Sequence, residues 1–353
     1  MDRKIRVAII GTGEIATKAR VPAYLSNKHV DLVALVDVDI RKAKRRARKF
    51  GVRKFFKSVD ELFEKEDVDA VSICTPPSTH ADLTLKALKY GAHVLCEKPM
   101  ANDIKKGKEV FEASKAEEKI LMVSSYRRFV SNYLRAKRRI LKGKLGHVYC
   151  IEDIQLSPSP LLTWAKSPWY YSPEGGGVLF DLGPHCFDLI NYLFGDFPVA
   201  VSAHSFAYLD SPVEECCVCV LEYPENRTGV GMMSWLSSTG IENTSIHGTV
   251  ESIYVSPKFF LDVNRIDVPE VSLWREITLR LIRLKLANLP KLHKRKDVDP
   301  LQLETNHFIE QIKQNRTSSL NALNALNVLI TIDAAKTASQ ENRKTKIPAL
   351  KQV

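Results

Sequence analysis

A lysine that could take part in catalysis or ligand binding follows a short apolar segment. Residues 93–96 are mostly apolar and come shortly after a glycine, which is typical of a buried strand. Glu97, Lys98 and Pro99 follow, and the proline biases Lys98 toward an extended backbone. Because ligands bind outside the carboxyl ends of strands in an open α/β sheet, we expect Lys98 to face a crevice. A solvated lysine at a surface turn is the simpler interpretation of this stretch taken alone.

A second set of candidate residues follows three glycines at residues 175–177. Asp181, His185 and Asp188 are spaced at i, i+4 and i+7, so one helix would carry them as a single stripe. Carboxylates and an imidazole in such a stripe form either a satisfied core network or an acid/base site that lines a cleft. The glycine-rich entry and the carboxylate one turn from the imidazole favour the acid/base site.

The beginning of the chain has the pattern of a dinucleotide-binding turn. An apolar run over residues 5–10 leads into Gly-Thr-Gly-Glu-Ile-Ala at residues 11–16, and these glycines would let backbone N–H groups approach a pyrophosphate at a helix N-terminus. The next apolar run ends in Asp37, whose carboxylate would accept hydrogen bonds from both ribose hydroxyls and repel a 2′-phosphate. NAD is therefore favoured, while Arg41 and Lys42 keep NADP open. A helix N-cap is the structural alternative for Asp37.

The elements that would position these residues alternate regularly up to residue 124. A capping box at Ser58 opens a further helix, and Thr75 and His80, in a proline-containing turn, would border the cofactor. Strict alternation of strands and helices calls for a parallel, doubly wound sheet with right-handed crossovers. The expected strands are 5–10, 30–36, 70–74, 93–96 and 120–124, and the expected helices include 41–50, 81–90 and 102–118.

From residue 125 onward the pattern becomes that of an α+β domain. A basic helix over residues 130–142 precedes strands that alternate polar with apolar residues, which suits an antiparallel sheet with one covered face. We therefore expect a dinucleotide-binding domain over residues 1–124 and a second domain over residues 125–353. The expected strands of the second domain are 147–156, 199–208, 213–223, 229–236, 243–248 and 252–256.

The C-terminal region is predicted to be mainly helical. Residues 273–289 carry two apolar stripes, which predicts a helix enclosed in an interface, although the basic tail at 291–296 leaves membrane contact open. Helices over 301–314 and 320–339 and a short strand over 345–350 complete the chain.

The composition is that of a soluble globular protein of two domains, with 353 residues, 44% hydrophobic and 26% charged. The net charge of +11 is spread along the chain, which argues against nucleic-acid binding and suits an anionic substrate or cofactor. The seven cysteines show no C-x-x-C spacing, which predicts buried thiols and neither a metal site nor disulfides. We expect no signal peptide and no transmembrane segment, and hence a cytoplasmic location.

With these motifs in view, the chain resembles the glucose-fructose oxidoreductase/inositol dehydrogenase/rhizopine catabolism family of nucleotide-dependent oxidoreductases. The resemblance covers nearly the whole length. It implies a Rossmann domain, a C-terminal α+β domain with a mainly antiparallel open sheet, a helix at 320–339 packing back toward the first domain, and a homo-oligomer formed through the C-terminal sheet. The stretches that carry it are residues 11–16, 75–80, 97–99, 126–129 and 175–188.

The resemblance also implies roles for individual residues. Lys98, Asp181 and His185 match the family's catalytic trio, and Trp169 and Pro173 resemble the segment that approaches the nicotinamide. The residues expected at the cofactor are Gly11, Gly13, Glu14, Ile15, Asp37, Thr75, Pro76, His80, Glu97, Lys98, Arg128 and Trp169. The residues expected at the substrate are Lys98, Tyr126, Arg127, Tyr171, Asp181 and His185.

These residue types suit the oxidation of a secondary alcohol. His185 would take the hydroxyl proton, Lys98 would stabilise the developing alkoxide, and Asp181 would position the lysine. We expect an NAD-dependent dehydrogenase acting on a hydroxyl of a sugar, cyclitol or nucleotide sugar. The alternatives are an imine or conjugated-bond reductase on the same scaffold and a non-catalytic nucleotide sensor.

Two departures from the family pattern bear on the substrate. Tyr170 stands where a basic residue is frequent, and Cys186 where a second polar residue sometimes follows the histidine, which weakens the expectation of a small polyol. An anionic sugar derivative such as a nucleotide sugar is favoured by basic and aromatic residues near the expected cleft, namely Arg127, Lys166, Trp164 and Tyr171.

Overall fold

A computed structural model describes residues 3–159, 168–172, 175–208, 210–264, 298–316 and 321–348. Side chains are not described at residues 168–169 and 262–264. The helix predicted over residues 273–289, its basic tail, Trp164, Lys166 and Pro173 lie outside the described residues. Within the described ranges, no helix has both the length and the apolar character needed to cross a membrane.

The first sheet has six parallel strands in the order β3-β2-β1-β4-β5-β6, which confirms the predicted doubly wound Rossmann architecture. The sequence patterns did not reveal β3, which has only three residues. The strands are β1 (Ile5–Ile10), β2 (Val30–Val36), β3 (Lys54–Phe56), β4 (Ala70–Ile73), β5 (His93–Cys96) and β6 (Leu121–Val123). The helices are α1 (Val21–Ser26), α2 (Ile40–Phe50), α3 (Val59–Lys65), α4 (His80–Lys89) and α5 (Ile104–Ala116), and a π-helical segment, Ala16–Arg20, leads into α1.

The central strand β1 is covered on both faces, which explains its unbroken apolar sequence. Val7 and Ile9 belong to one hydrophobic cluster, while Ala8 and Ile10 belong to the cluster on the opposite face. A strand that buries both faces needs no polar residue between its apolar ones, so the run over β1 is continuous.

The ends of α2 and α3 are set by capping side chains. Asp39 caps α2 by accepting hydrogen bonds from the backbone N–H groups of Arg41 and Lys42 at 3.0 Å each. Gly51 ends the same helix at φ 71°. The Ser58 hydroxyl accepts from the Glu61 N–H at 3.2 Å and caps α3 as predicted. Because Asp39 is the N-cap of α2, the carboxylate of Asp37 is left for another role.

The second sheet has eight strands in the order β13-β12-β11-β7-β10-β9-β8-β14. All neighbours are antiparallel except β7 and β10, which confirms the predicted mainly antiparallel sheet. The strands are β7 (Val148–Pro158), β8 (Ala200–Phe206), β9 (Cys216–Tyr223), β10 (Arg227–Ser234), β11 (Leu236–Gly248), β12 (Glu251–Val255), β13 (Phe260–Asn264) and β14 (Thr345–Lys346). The helices are α6 (Ser131–Leu141), α7 (Gly177–Asp181), α8 (Gly183–Phe194), α9 (Pro300–Gln314) and α10 (Ala322–Glu341).

Helix α8 covers one face of this sheet at close range. A Cβ atom at Gly231 would come within 2.9 Å of the Cys186 sulfur, and one at Gly229 would come within 3.0 Å of Ile190. The two glycines of β10 therefore provide the space in which α8 lies. The opposite face of the sheet carries the partly exposed valines Val218 and Val220.

The last two helices return to the first domain. Phe308 and Ile309 of α9 are fully buried in the same hydrophobic cluster as Val7 and Ile9 of β1. Leu329 of α10 packs on α5 at Gly107, where an added Cβ would lie 2.8 Å from the leucine side chain. Both sheets are therefore held together by the C-terminal helices as well as by the chain crossing near residue 125.

Candidate active site

A cleft of about 430 Å³ lies between the two sheets, within the size range of small-molecule sites. One wall comes from the carboxyl ends of β4 and β5 and the other from α7, α8 and the second sheet. Residues that line it include Ile15, Thr75, Pro77, His80, Glu97, Lys98, Asn102, Tyr126, Gln155, Ser157, Tyr170, Phe180, Asp181, His185 and Glu242.

Lys98 reaches across this cleft from the end of β5. Its ammonium donates to the backbone carbonyl of Asp181 at 2.7 Å and to the Asp181 Oδ1 at 2.8 Å. The side chain keeps 21% of its surface exposed, and the peptide bond that follows it, to Pro99, is cis. The positive charge is thus fixed in position while one side remains open to a ligand.

The carboxylate of Asp181 is held from two sides. Lys98 binds Oδ1, and the indole N–H of Trp235 donates to Oδ2 at 3.3 Å. Trp235 itself is buried between Tyr170 and Tyr171, with ring centroids 6.2 and 5.2 Å away. The aromatic group therefore restricts the carboxylate, and through it the lysine.

His185 enters the cleft from the first turn of α8. The ring of Tyr126 meets it edge-on, with 5.3 Å between centroids. Burial, and then the positive charges of Lys98 and Arg127, hold the pKa of His185 well below its usual value. The imidazole is consequently neutral at pH 7 and can accept a proton.

The single helical stripe predicted for Asp181, His185 and Asp188 is wrong. The chain forms two helices, because Pro184, in the first turn of α8, lacks the backbone N–H that would continue the hydrogen bonds of α7. Asp181 and His185 still face one cleft. Asp188 turns away from it and binds Arg128 and Asn324, so it belongs to the core network that was the alternative for this stripe.

The glycine turn has the shape that a pyrophosphate requires. Gly11 has φ 90°, and a Cβ there would lie 2.6 Å from the Cys74 carbonyl oxygen, so only glycine fits. A Cβ at Gly13 would meet nothing within 4 Å, so this glycine faces open space at the start of the helix. The tight turn and the open approach fit a dinucleotide phosphate.

Asp37 lies beside this turn at the end of β2. Its Oδ2 accepts from the Thr12 N–H at 2.9 Å and hydroxyl at 2.6 Å, and Lys42 approaches it at 3.0 Å. Burial acts in the opposite direction, but the hydrogen bonds from Thr12 and Lys42 prevail and lower the pKa of Asp37. The carboxylate is ionised and is joined directly to the glycine turn.

Glu97, next to Lys98, is tied to a buried arginine. Arg20 donates to Glu97 Oε1 from Nε at 2.9 Å and from Nη2 at 2.7 Å, and also binds Glu304 of α9 at 2.6 Å. Glu304 in turn accepts from the Ser124 hydroxyl at 2.9 Å. This network joins the helix after the glycine turn, the Lys98 strand and α9.

His80 supports the same wall of the cleft. One ring nitrogen lies 2.7 Å from the Pro99 carbonyl oxygen and the other 2.8 Å from that of Thr75. Burial lowers the pKa of His80. A neutral imidazole carries one N–H, so it donates to one of these carbonyls and lies against the other, between the loop after β4 and the segment after β5.

Several residues expected at a ligand lie elsewhere. Arg127 is buried below the cleft, where both Nη atoms donate to Asp153 at 2.8 and 2.9 Å. Arg128 is buried against Asp188, with the Tyr192 ring 5.0 Å from its guanidinium carbon. Buried carboxylates neutralise the charges of both arginines inside the protein. These carboxylates come from distant parts of the chain, so local sequence patterns do not reveal the contacts.

Smaller differences concern three other positions. Pro77 lines the cleft where Pro76 was expected, and Tyr170 does so where Tyr171 was expected. Tyr171 instead shares a hydrogen bond of 2.8 Å with Ser159. Glu14 points to the surface and pairs with Lys18 at 2.9 Å. The side chain of Trp169 lies outside the described residues.

Sequence patterns missed the polar floor of the cleft. Gln155 and Ser157 of β7 and Glu242 of β11 line it, but no motif marks them. A usable signal exists in β7, where polar residues at 153, 155 and 157 alternate with apolar residues at 154 and 156. Alternation identifies one polar face of a strand, although it does not say that this face is the inner one.

Comparison with known proteins places these features in a family context. A sequence family described as "Oxidoreductase family, NAD-binding Rossmann fold" matches residues 5–125, and one described as "GFO/IDH/MocA C-terminal domain" matches residues 133–254. The chain is 31% identical over 204 residues to D-glucoside 3-dehydrogenase of Escherichia coli (strain K12), covering 57% of this chain and 58% of that protein. It therefore matches less than two thirds of the length of that relative.

Two further similarities agree with this match. The chain is 28% identical over 235 residues to myo-inositol 2-dehydrogenase of Thermotoga maritima, covering 64% of this chain and 67% of that protein. The structure of levoglucosan dehydrogenase in complex with NADH superposes with a TM-score of 0.85 at 20% identity, covering 99% of this chain and 100% of that one. This structural likeness shows a shared fold.

Proposed function

Because this chain belongs to the Gfo/Idh/MocA oxidoreductase family, which has an NAD-binding Rossmann fold, we propose that it is an NAD-dependent dehydrogenase of a secondary hydroxyl on a sugar or cyclitol. The observation that carries this proposal is the fixed Lys98–Asp181 pair in the cleft that also contains a neutral His185. The names of relatives as glucoside and inositol dehydrogenases support the choice of substrate class.

His185 acts as the general base in this proposal. A neutral imidazole can remove the hydroxyl proton as the carbon is oxidised, and the low pKa keeps it neutral before the reaction. Tyr126 packs against the edge of the ring and limits its rotation. The base is therefore oriented as well as deprotonated.

Lys98 stabilises the oxygen that becomes negative. Its ammonium lies at the end of β5 with one side open to the cleft, and a fixed positive charge there lowers the energy of an alkoxide-like transition state. Asp181 positions the ammonium, and Trp235 positions Asp181. In the reverse direction the same ammonium polarises a carbonyl.

The residues that would hold NAD are those of the glycine turn, Asp37 for the ribose hydroxyls, and Ile15 and Thr75 along the cleft wall. When bound, this cofactor supplies the acceptor for the hydride that leaves the substrate carbon. Lys42, already paired with Asp37, is the residue through which NADP would gain a contact.

The face of the second sheet opposite α8 is where a second copy of the chain would bind. Val218 and Val220 of β9 are partly exposed there, beside Met232 and Val230 of β10. An apolar sheet face of this kind supports a homo-oligomer formed through the C-terminal sheet.

All seven cysteines are free thiols, which supports a reducing compartment such as the cytoplasm.

A substrate scan tests the proposed activity. Purified protein is supplied with NAD and a panel of hexoses, glucosides, cyclitols and nucleotide sugars at alkaline pH, and NADH absorbance is followed, with Lys98→Ala beside it. We expect turnover of at least one panel member by the wild type and loss of turnover in the variant. Tight NAD binding with no oxidation of any alcohol would instead indicate a nucleotide sensor.

A further inference from the structure

The floor of the cleft is a polar strip on the inner face of the second sheet. Asp153, Gln155 and Ser157 alternate along β7, so all three side chains lie on one face. Gln155 and Ser157 line the cleft, and Asp153 is fully buried beneath it. Inner faces of sheets are normally apolar, so polar groups here need a partner.

Strand β11 extends this strip. Glu242 is the direct neighbour of Gln155 across the β7–β11 pair, and Thr244 is the neighbour of Asp153. The Thr244 hydroxyl donates to Asp153 at 2.7 Å, and the Gln155 amide donates to Asp153 at 2.7 Å. These contacts fix the buried end of the strip, while Glu242 at the open end has a side chain 42% exposed.

The strip carries a net negative charge. Arg127 is its one cation in the described part of the chain, and it faces two carboxylates, Asp153 at 2.8 Å and Glu242 at 4.0 Å. The Nη groups are taken by Asp153, and 4.0 Å exceeds hydrogen-bond length for the remaining Nε, which has no hydrogen-bond partner. One guanidinium is therefore shared between Asp153, which it hydrogen-bonds, and Glu242, which it only approaches, and the two carboxylates exceed it by one negative charge.

The other charged groups of the cleft do not offset Glu242. Lys98 is paired with Asp181, Glu97 is paired with Arg20, and His185 is neutral. Among the described residues that line the cleft, no cation is left for a carboxylate or phosphate on the substrate at this floor. Arg127, which favoured an anionic sugar on sequence grounds, is already neutralised.

From this arrangement we propose that Glu242, with Gln155 and Ser157, forms a recognition floor for an uncharged polyhydroxylated ring. A carboxylate accepts hydrogen bonds from two adjacent hydroxyls of such a ring and repels an acidic group at the same place. This inference rests on the proposed dehydrogenase function and names its substrate class. It selects neutral hexoses or cyclitols against hexuronates and nucleotide sugars.

The test compares each neutral hexose with its hexuronate, which differs only at the terminal carbon, and with its uridine diphosphate derivative. We expect the wild type to use the best neutral sugar with a kcat/KM at least about tenfold above that of its acidic partners. Glu242→Gln keeps the shape and removes the charge. We expect it to raise KM for the neutral sugar about tenfold and to change kcat less than about threefold. The ratio of kcat/KM for the neutral sugar to kcat/KM for its uronate should therefore fall.

A matched control is Glu152→Gln. Glu152 lies on β7, the strand next to that of Glu242, but on the other face of the sheet, near His247 at 3.7 Å, so KM should stay at the wild-type value. Equal or better use of the uronate or nucleotide sugar by the wild type, preference for an amino sugar, or an unchanged KM in Glu242→Gln would each overturn the proposal.

The inference can be separated from the proposed activity by binding measurements. If no alcohol is oxidised, calorimetric titration of the NADH-loaded protein with the same sugar pairs still reports on the floor. Tighter binding of the neutral sugar that is lost in Glu242→Gln supports the recognition floor even without turnover. Binding that does not distinguish the neutral sugar from the uronate refutes it.

Discussion

Lys98 donates both to the backbone carbonyl and to the carboxylate of Asp181, although 83 residues separate the two in the chain. The lysine follows β5 of the first sheet, and the aspartate ends α7 of the second domain. The contact therefore forms only when the two domains meet. A charge held at such a junction is correctly placed only in the folded two-domain protein.

Removing the ammonium should abolish catalysis without abolishing cofactor binding. For Lys98→Ala we expect kcat to fall by about 10²–10³, since one preorganised charge is lost from the reacting oxygen. NADH binding, followed by fluorescence, should persist because the glycine turn and Asp37 are untouched. The exposed Lys105→Ala variant is the control. A wild-type kcat in Lys98→Ala would refute the assigned role.

The pH dependence should reflect the lowered pKa of His185. Only the neutral imidazole accepts a proton, and its pKa lies well below 6.5, so kcat/KM should change little between pH 7.5 and 6.5 and fall only at lower pH. His185→Gln should be nearly inactive across the whole range. An acidic limb centred above pH 7 would contradict a neutral base.

The same shift affects stability with a definite sign. Because the folded pKa of His185 lies below the unfolded value, the unfolded chain binds more protons as the pH falls through about 6.5. The wild type should therefore lose melting temperature between pH 7.5 and 5.5, and His185→Gln should lose less. Differential scanning calorimetry at the two pH values measures the difference, and equal losses would argue against a buried neutral imidazole.

Asp37 should set the preference for NAD. Asp37→Ala removes the carboxylate that would repel a 2′-phosphate and leaves Lys42 without its partner at 3.0 Å. We expect the KM for NAD to rise about tenfold and the ratio of kcat/KM for NAD over NADP to fall about 10- to 100-fold. Asp31→Asn, on the surface beside Arg53, should leave the ratio unchanged. An unchanged ratio in Asp37→Ala would show that the Asp37 carboxylate does not bind the ribose.

The network around Arg20 should contribute strongly to stability. Arg20→Met leaves Glu304 buried without its cation, which should cost about 3–5 kcal/mol of unfolding free energy. Adding Glu304→Gln should recover part of this loss, since the uncompensated charge is then removed. Arg3→Met, which breaks an exposed pair with Asp69, should change the melting temperature little. Equal effects of Arg20→Met and Arg3→Met would contradict this account.

Local sequence patterns predicted the first domain well, because its strands, turns and helix caps depend on residues that are close together in the chain. The apolar run of β1 reflects burial of both faces, and the turn at Gly11 requires a conformation that only glycine adopts readily. Asp39 and Ser58 cap helices within three residues of themselves. Each of these features depends on the residue type and its neighbours in the chain.

The site was predicted less completely because its partners are distant in sequence. Arg127 and Arg128 lie in a basic stretch that resembles a solvated surface, yet Asp153 and Asp188 draw both into the interior. The polar floor at Gln155 and Glu242 depends on pairing between β7 and β11. The roles of Lys98, Asp181 and His185 came from family resemblance, and no spacing rule would bring them together.

The position of α9 has a consequence for how the protein is made. Glu304 and Phe308 of α9 are buried against strands and helices of the first domain, which are all translated before residue 126. During synthesis the first domain therefore remains incomplete until some 180 further residues have left the ribosome. Until then Arg20 lacks one of its carboxylate partners. We therefore expect nascent chains halted near residue 150 to be protease-sensitive around Arg20, and full-length chains to be resistant there.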